Sequence, residues 1–182
     1  TNTYLIASGY NQNIFKGDPV YYVAPGRIGR ATAGAGNPIL GVFMGVKYTL
    51  PGNPYPGPIT SNYWPAGTVV VSPGQPDPVA YAEIIDDPNV VYDVQAATQI
   101  DTDELSLNAN FLAPGAPPAY AFASGQSYIT LDSAAAAANA NFQFKILGYT
   151  PNVNNTPNTP FNNVEVIINN HPFKGGTGTV GV

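Results

Sequence analysis

Apolar residues in this chain come in short runs, and Gly, Pro, Asn and Asp cluster between them. Runs of four to eight apolar or alternating residues bounded by turn formers predict strands rather than helices. Residues 19–23 and 27–30 flank Ala24-Pro25-Gly26. Pro presets φ and Gly accepts positive φ, so this stretch predicts a β-hairpin. The run ILGVFMGVKYT, residues 39–49, predicts a longer strand in which Gly41 and Gly45 mark a bulge or a close backbone approach. Residues 68–71, 79–85 and 90–95 predict three more strands, with Asp86-Asp87-Pro88-Asn89 as the turn between the last two. VAYAEII and VVYDVQ alternate in part, as half-buried strands do. Residues 127–131, 141–149 and 164–168 continue the series. In the second of these, Phe142, Phe144 and Ile146 are set against Gln143 and Lys145. Asp132-Ser133 ahead of five alanines predicts a capped turn of helix, too short to persist alone. The run TYLIA, residues 3–7, suits either a strand or an extended arm.

Many short strands with turn signals between them predict an all-β fold, a single β-sandwich or barrel-like core. The core is assigned to residues 17–170, with loop excursions at 50–67, 96–120 and 151–163 that are rich in Pro, Gly and Asn. Residues 1–16 are assigned as an extended N-terminal arm and residues 171–182 as a Gly-rich tail. No repeat at a fixed period appears.

Composition sharpens this picture. In 182 residues the hydrophobic fraction is 44% but the charged fraction only 9%, far below the roughly 25% of an ordinary domain. Asn, Thr, Ser, Gln and Gly must therefore supply most of the polar surface. Twelve Tyr and eight Phe argue against disorder. Nineteen Gly and nineteen Pro without a collagen period read as turn punctuation. The formal net charge is −5 and no Lys or Arg lies between Lys47 and Lys145, so the basic stripe that phosphate backbones require is missing and nucleic acid is not expected as a partner. Without cysteine there is no disulfide or thiol chemistry. No apolar run reaches the ~18 residues of a membrane span, and no signal peptide is visible.

Candidate chemistry is sparse. His171, in NNHPFKGG, is the only histidine, and a nucleophile–His–acid site would have to use it. A lone His before Pro reads as a surface or capping residue. Eight of the eleven acids fall between Asp77 and Glu104 (Asp77, Glu83, Asp86, Asp87, Asp93, Asp101, Asp103 and Glu104). Turn chemistry and a solvated acidic face account for them. A structural Ca²⁺ site at Asp101-Thr102-Asp103-Glu104 and a glycosidase carboxylate pair are the sharper alternatives. GAGNP and KGGTGTVG fit no phosphate loop, and Asn154-Asn155-Thr156 is a sequon that matters only in a secretory pathway. Trp64 and the tyrosines near it, Tyr55 and Tyr63, suit core packing, a protein interface or a sugar platform. No catalytic residue, metal or cofactor is assigned.

Several segments occur in a telling order: GDPV; the hairpin ending in Gly26-Arg27-Ile28; ILGVFMGVKYT; Tyr63-Trp64-Pro65; AYAEIIDDPNVVYDVQA; NFQFKILGY; and NVEVIINNHPF. Over residues 20–175 this series resembles the small head proteins of short-tailed bacteriophages. The Pro-rich segments at 51–58 and 114–118 depart from that pattern. The resemblance implies a structural virion protein and no enzyme: a capsid decoration (cement) protein on the outside of the shell, with the major capsid protein and further copies of itself, in a trimer, as partners. Tyr4, Leu5 and Ile6 would then be an arm reaching a neighbour's sheet edge, and Tyr55, Tyr63 and Trp64 loop contacts. The competing expectation is a carbohydrate-binding or adhesive β-module of a tail fibre or surface appendage, which requires an exposed aromatic row.

Overall fold

The computed structural model describes residues 1–24, 26–52, 57–72, 77–112 and 115–174. They form a mostly β structure, in several sheets, with one short helix. The chain divides into two compact units, each assembled from separate stretches.

The first unit comprises Thr1–Ala31, Leu40–Asp86 and Ala116–Tyr128. It contains β1 (Asn2–Ala7), β2 (Ile14–Phe15), β3 (Pro19–Ala24), β4 (Arg27–Arg30), β5 (Gly41–Tyr48), β6 (Ile59–Ser61), β7 (Tyr63–Trp64) and β8 (Val79–Ile85), and the six-residue helix α1 (Ala119–Ser124). The main sheet runs β3-β4-β1-β8-β5-β6, and β5 pairs with β3 as well, so the ladder returns on itself; β2 and β7 form a separate pair. The β3–β4 hairpin and strands β5 and β8 lie where the hydrophobic pattern predicts them.

Both glycines of β5 act as the pattern implies. The β5–β8 register slips between Phe43 and Gly45, a bulge. A Cβ on Gly41 would lie 2.2 Å from the Ile85 carbonyl oxygen, so only glycine lets β8 approach there. β8 alternates as expected, with Ala80, Ala82 and Ile84 in the core and Tyr81 and Glu83 outside. Its core partners include Ile6, Val20, Ile28, Phe43 and Trp64.

Three expectations for this unit are corrected. Residues 2–7 are not an arm: they form an inner strand, antiparallel to β8 along its whole length and parallel to β4 at Leu5–Arg27. Ile6, fully buried, gains more inside this sheet than in water. Residues 68–71 form no strand, although Val70 is buried and held by the Ser8 hydroxyl, which accepts its N–H at 3.0 Å. The 50–67 excursion is partly regular, since β6 and β7 lie in it.

The second unit comprises Thr32–Ile39, Asp87–Gly115 and Ile129–Val182. It holds β9 (Tyr92–Gln95), β10 (Asn108–Ala109), β11 (Phe144–Tyr149) and β12 (Asn163–Ile168), ordered β10-β11-β12-β9. β12 alternates strictly, burying Val164, Val166 and Ile168. The turn expected between these two runs is present, the Val90 N–H donating to the Asp87 carbonyl at 3.3 Å, and β9 pairs with β12. A four-residue turn suggests local pairing, but burial against residues 70 positions away decides the partner. Residues 127–131 make only two isolated bridges, from Leu131 to Ala96 and to Phe111, and the alanine run makes a single 3₁₀ turn, Ser133–Ala135.

Loops in this unit are tied down by amides. Gln143, fully buried, donates to the Thr32 and Asn37 carbonyls at 2.8 and 3.1 Å and accepts the Gly34 N–H at 3.2 Å. Asn169 donates to the carbonyls of Ala140 and Phe142 at 3.1 and 2.9 Å. An amide both donates and accepts without the desolvation cost of a charge, which suits a chain so poor in charge.

Candidate interaction surfaces

The residues expected to carry contacts fall into three groups. Tyr4, Leu5 and Ile6 sit in β1. The Tyr4 hydroxyl donates to Asp86 at 2.6 Å, and the Asn2 amide donates to both oxygens of that carboxylate at 3.1 and 2.8 Å. Burial would raise the Asp86 carboxyl, but these donors outweigh it and hold the group below the usual carboxylate range. The same contact, with burial as the larger cause, pushes the Tyr4 phenol up. This cluster ties the start of β1 to the end of β8.

Trp64 belongs to the core. It is fully buried, its indole N–H donates to the Tyr10 carbonyl at 3.1 Å, and its ring meets Tyr48 edge-on at 5.6 Å. Indole is the largest apolar surface available, and a loop anchored on it excludes water better than one that exposes it. Trp64 thus offers a partner nothing. Tyr55 lies outside the described residues.

Tyr63 is half-buried and stacks on Phe15, with centroids 5.5 Å apart. Phe122 of α1 and Tyr128 meet the same Phe15 ring edge-on at 5.4 and 5.9 Å. Beneath this aromatic group lies Asp18, fully buried, which accepts the Phe15 N–H at 3.0 Å and the Ser127 hydroxyl at 2.5 Å. The Arg30 guanidinium sits 3.3 Å from Asp18 and 5.5 Å from the Tyr128 ring centre. Burial pushes the Asp18 carboxyl up, against the pull of Arg30 and of the two donors. Asp18 gives no signal in the sequence, because its role depends on Ser127, which is distant along the chain, as well as on Arg30 across the β3–β4 hairpin.

His171 is buried rather than on the surface. Its Nδ1 accepts the Phe173 N–H at 3.1 Å, and its carbonyl accepts the Lys174 N–H, so it caps the 3₁₀ turn Pro172–Lys174. The acids are spread over local tasks. Asp77 pairs with Arg27 at 3.4 Å, Asp87 accepts the Asn89 N–H, Asp93 accepts the Thr150 hydroxyl, and Glu104 accepts the Asp101 N–H. Among the described residues no three His, Cys, Asp or Glu side chains come together as a metal site, and no helix is long and apolar enough to cross a membrane.

Surface hollows remain. In the first unit an open apolar hollow of about 490 Å³ is lined by Tyr4, Tyr22, Val23, Ala24 and Gly26. A second, of about 430 Å³, includes Lys47, Tyr48, Val79 and Tyr81. Tyr120 and Phe122 of α1 are exposed. The second unit has a smaller hollow of about 230 Å³ beside the 151–163 loop.

No family model, curated protein or solved structure matches this chain.

Proposed function

We propose that this chain is a structural virion protein, a capsid decoration (cement) protein that binds the outer surface of the major capsid shell and stabilises it between capsomers, acting as a homotrimer rather than as an enzyme. The observation that carries this reading is the ordered series of segments resembling phage head proteins. Those segments coincide with β3, β4, β5, β7, β8, β9, β11 and β12, the strands that build both units. A protein whose sequence likeness lies in its sheet scaffold is one whose shape and edges serve its role. Within this reading, the first unit is a small closed barrel, supported by the second pairing of β5 with β3 at Pro19–Val42 and Val20–Gly41.

The contact surface moves from the expected arm to the apolar hollow at Tyr4, Tyr22 and Val23, with α1's Tyr120 and Phe122 as a second candidate. Exposed aromatic rings at a rim of backbone suit protein contacts across a capsomer seam. The low charge fits the outer face better than a DNA-facing lining.

Cryo-electron microscopy of particles assembled with and without the chain tests the proposal. Regularly placed density on the outer shell, present only with the chain, is the expected result. Density confined to tail appendages, or none on the particle, rejects it. Light scattering of the isolated protein checks the trimer.

A further inference from the structure

The loop joining β11 to β12 is closed at its base, where the Thr150 N–H donates to the Asn163 carbonyl at 3.1 Å. Asn155 staples it from within, donating to the Thr150 and Asn163 carbonyls at 2.8 and 2.7 Å and accepting the Asn163 N–H at 2.8 Å. Asn162, buried, exchanges two hydrogen bonds with the Ile100 backbone. A surface loop with paired ends and internal ties is an Ω-loop, a class that frequently carries function.

The 230 Å³ hollow lies beside this loop, and among the described residues its lining carries no ionisable side chain. Gln95, Asn154 and Asn163 are among its lining residues, and their side-chain amides make no hydrogen bond within the described residues. The Thr159 hydroxyl donates to the Thr156 carbonyl at 2.6 Å and keeps its acceptor capacity. Phe161 contributes an aromatic ring, 61% exposed. Its backbone is held at φ 61°, a conformation a bulky side chain seldom takes, and its N–H donates to the Thr98 carbonyl at 2.5 Å. Backbone strain that holds an apolar ring out in water, beside uncommitted amides, has no use for packing; strain of this kind gathers at binding sites.

We propose that this loop is a subsite for one neutral pyranose unit of a glycan. Each sugar hydroxyl both donates and accepts, and so does each amide, so Gln95, Asn154 and Asn163 can pair with neighbouring ring hydroxyls. The Phe161 ring takes the C–H face of the sugar. A carboxylated or sulfated sugar would call for cations that this lining lacks. The hollow is smaller than the ~300–1,000 Å³ of drug-sized sites, which limits it to a single ring. The site lies wholly in the second unit and does not rest on the capsid proposal.

The test is an NMR titration of the full chain with the methyl glycosides of glucose, galactose, mannose and N-acetylglucosamine, and with glucuronate as the charged probe. At least one neutral glycoside is expected to saturate the protein with a Kd of order 1–10 mM. It should shift the side-chain amide signals of Gln95, Asn154 and Asn163 and the backbone signal of Phe161. Phe161→Ala and Asn154→Ala should each weaken binding by about fivefold or more with the melting temperature retained. Glucuronate should bind no more tightly. The proposal is overturned by no shift up to ~50 mM of every neutral glycoside, by shifts elsewhere on the protein, by tighter glucuronate binding, or by undiminished affinity in folded variants. Should a variant fail to fold, the position of the shifts in the unaltered protein decides.

Discussion

The two buried aspartates of the first unit respond to acid in opposite senses. Asp86 titrates below its usual range in the fold. Its stabilisation is therefore present above the unfolded value of ~3.9 and is lost as pH falls through the folded value. Asp18 titrates above its usual range. The fold then binds that proton more tightly than the unfolded chain does, so stability declines as pH rises from ~3.9 through the folded value. Melting curves between about pH 7 and pH 3 should show Asp86→Asn flattening the acid loss of stability and Asp18→Asn steepening it. An unchanged acid slope in Asp86→Asn would remove the Asn2–Tyr4–Asp86 cluster as its source. Neither role was legible from residue type: Asp86 read as a turn former, and only the strand pairing that sets Asn2 opposite Ile84 brings its donors into reach.

At the scale of elements, β1 decides between arm and strand. A chain lacking residues 1–8 loses the strand between β4 and β8 and leaves Asp86 without its Asn2 and Tyr4 donors. Such a chain is expected not to fold its first unit, seen as loss of dispersed amide signals. A folded protein with an unchanged melting temperature would restore the arm. β5 and β8 meet most closely at Gly41, where an added methyl would strike the Ile85 carbonyl and the Ile84 side chain. Gly41→Ala should cost about 2–4 kcal/mol in chemical denaturation, whereas Gly148→Ala, with open space around it, should stay within about 0.5 kcal/mol. Equal effects at the two sites would show that contact with β8 is not what Gly41 provides. The run ILGVFMGVKYT announced this strand and its glycines because both signals are local. TYLIA was ambiguous because an inner strand and a detached apolar arm look alike until a partner is known.

For the whole molecule, the shortage of charge has a measurable consequence. Between Arg27 and Asp77 the ion pair is exposed, and between Arg30 and Asp18 it is buried where salt screens poorly. Raising sodium chloride from about 0.05 to about 0.5 M is expected to move the melting temperature by no more than about 2 °C. A larger drop would mean that charge contributes more to stability than these pairs suggest. Amides such as Gln143 and Asn169 hold loops where other proteins use ions.

From sequence alone, the local period and the turn residues determined that the chain is mostly β, placed most of its long strands and paired β3 with β4 as a hairpin, because those signals act within a few residues. Tertiary structure alone decided that β1 is internal, that β9 belongs with β12, that Trp64 is buried and Phe161 is not, and that two units are woven from alternating stretches. The physical reason is that burial and hydrogen bonding are satisfied by partners far along the chain. A short apolar run states that it needs a partner without naming one.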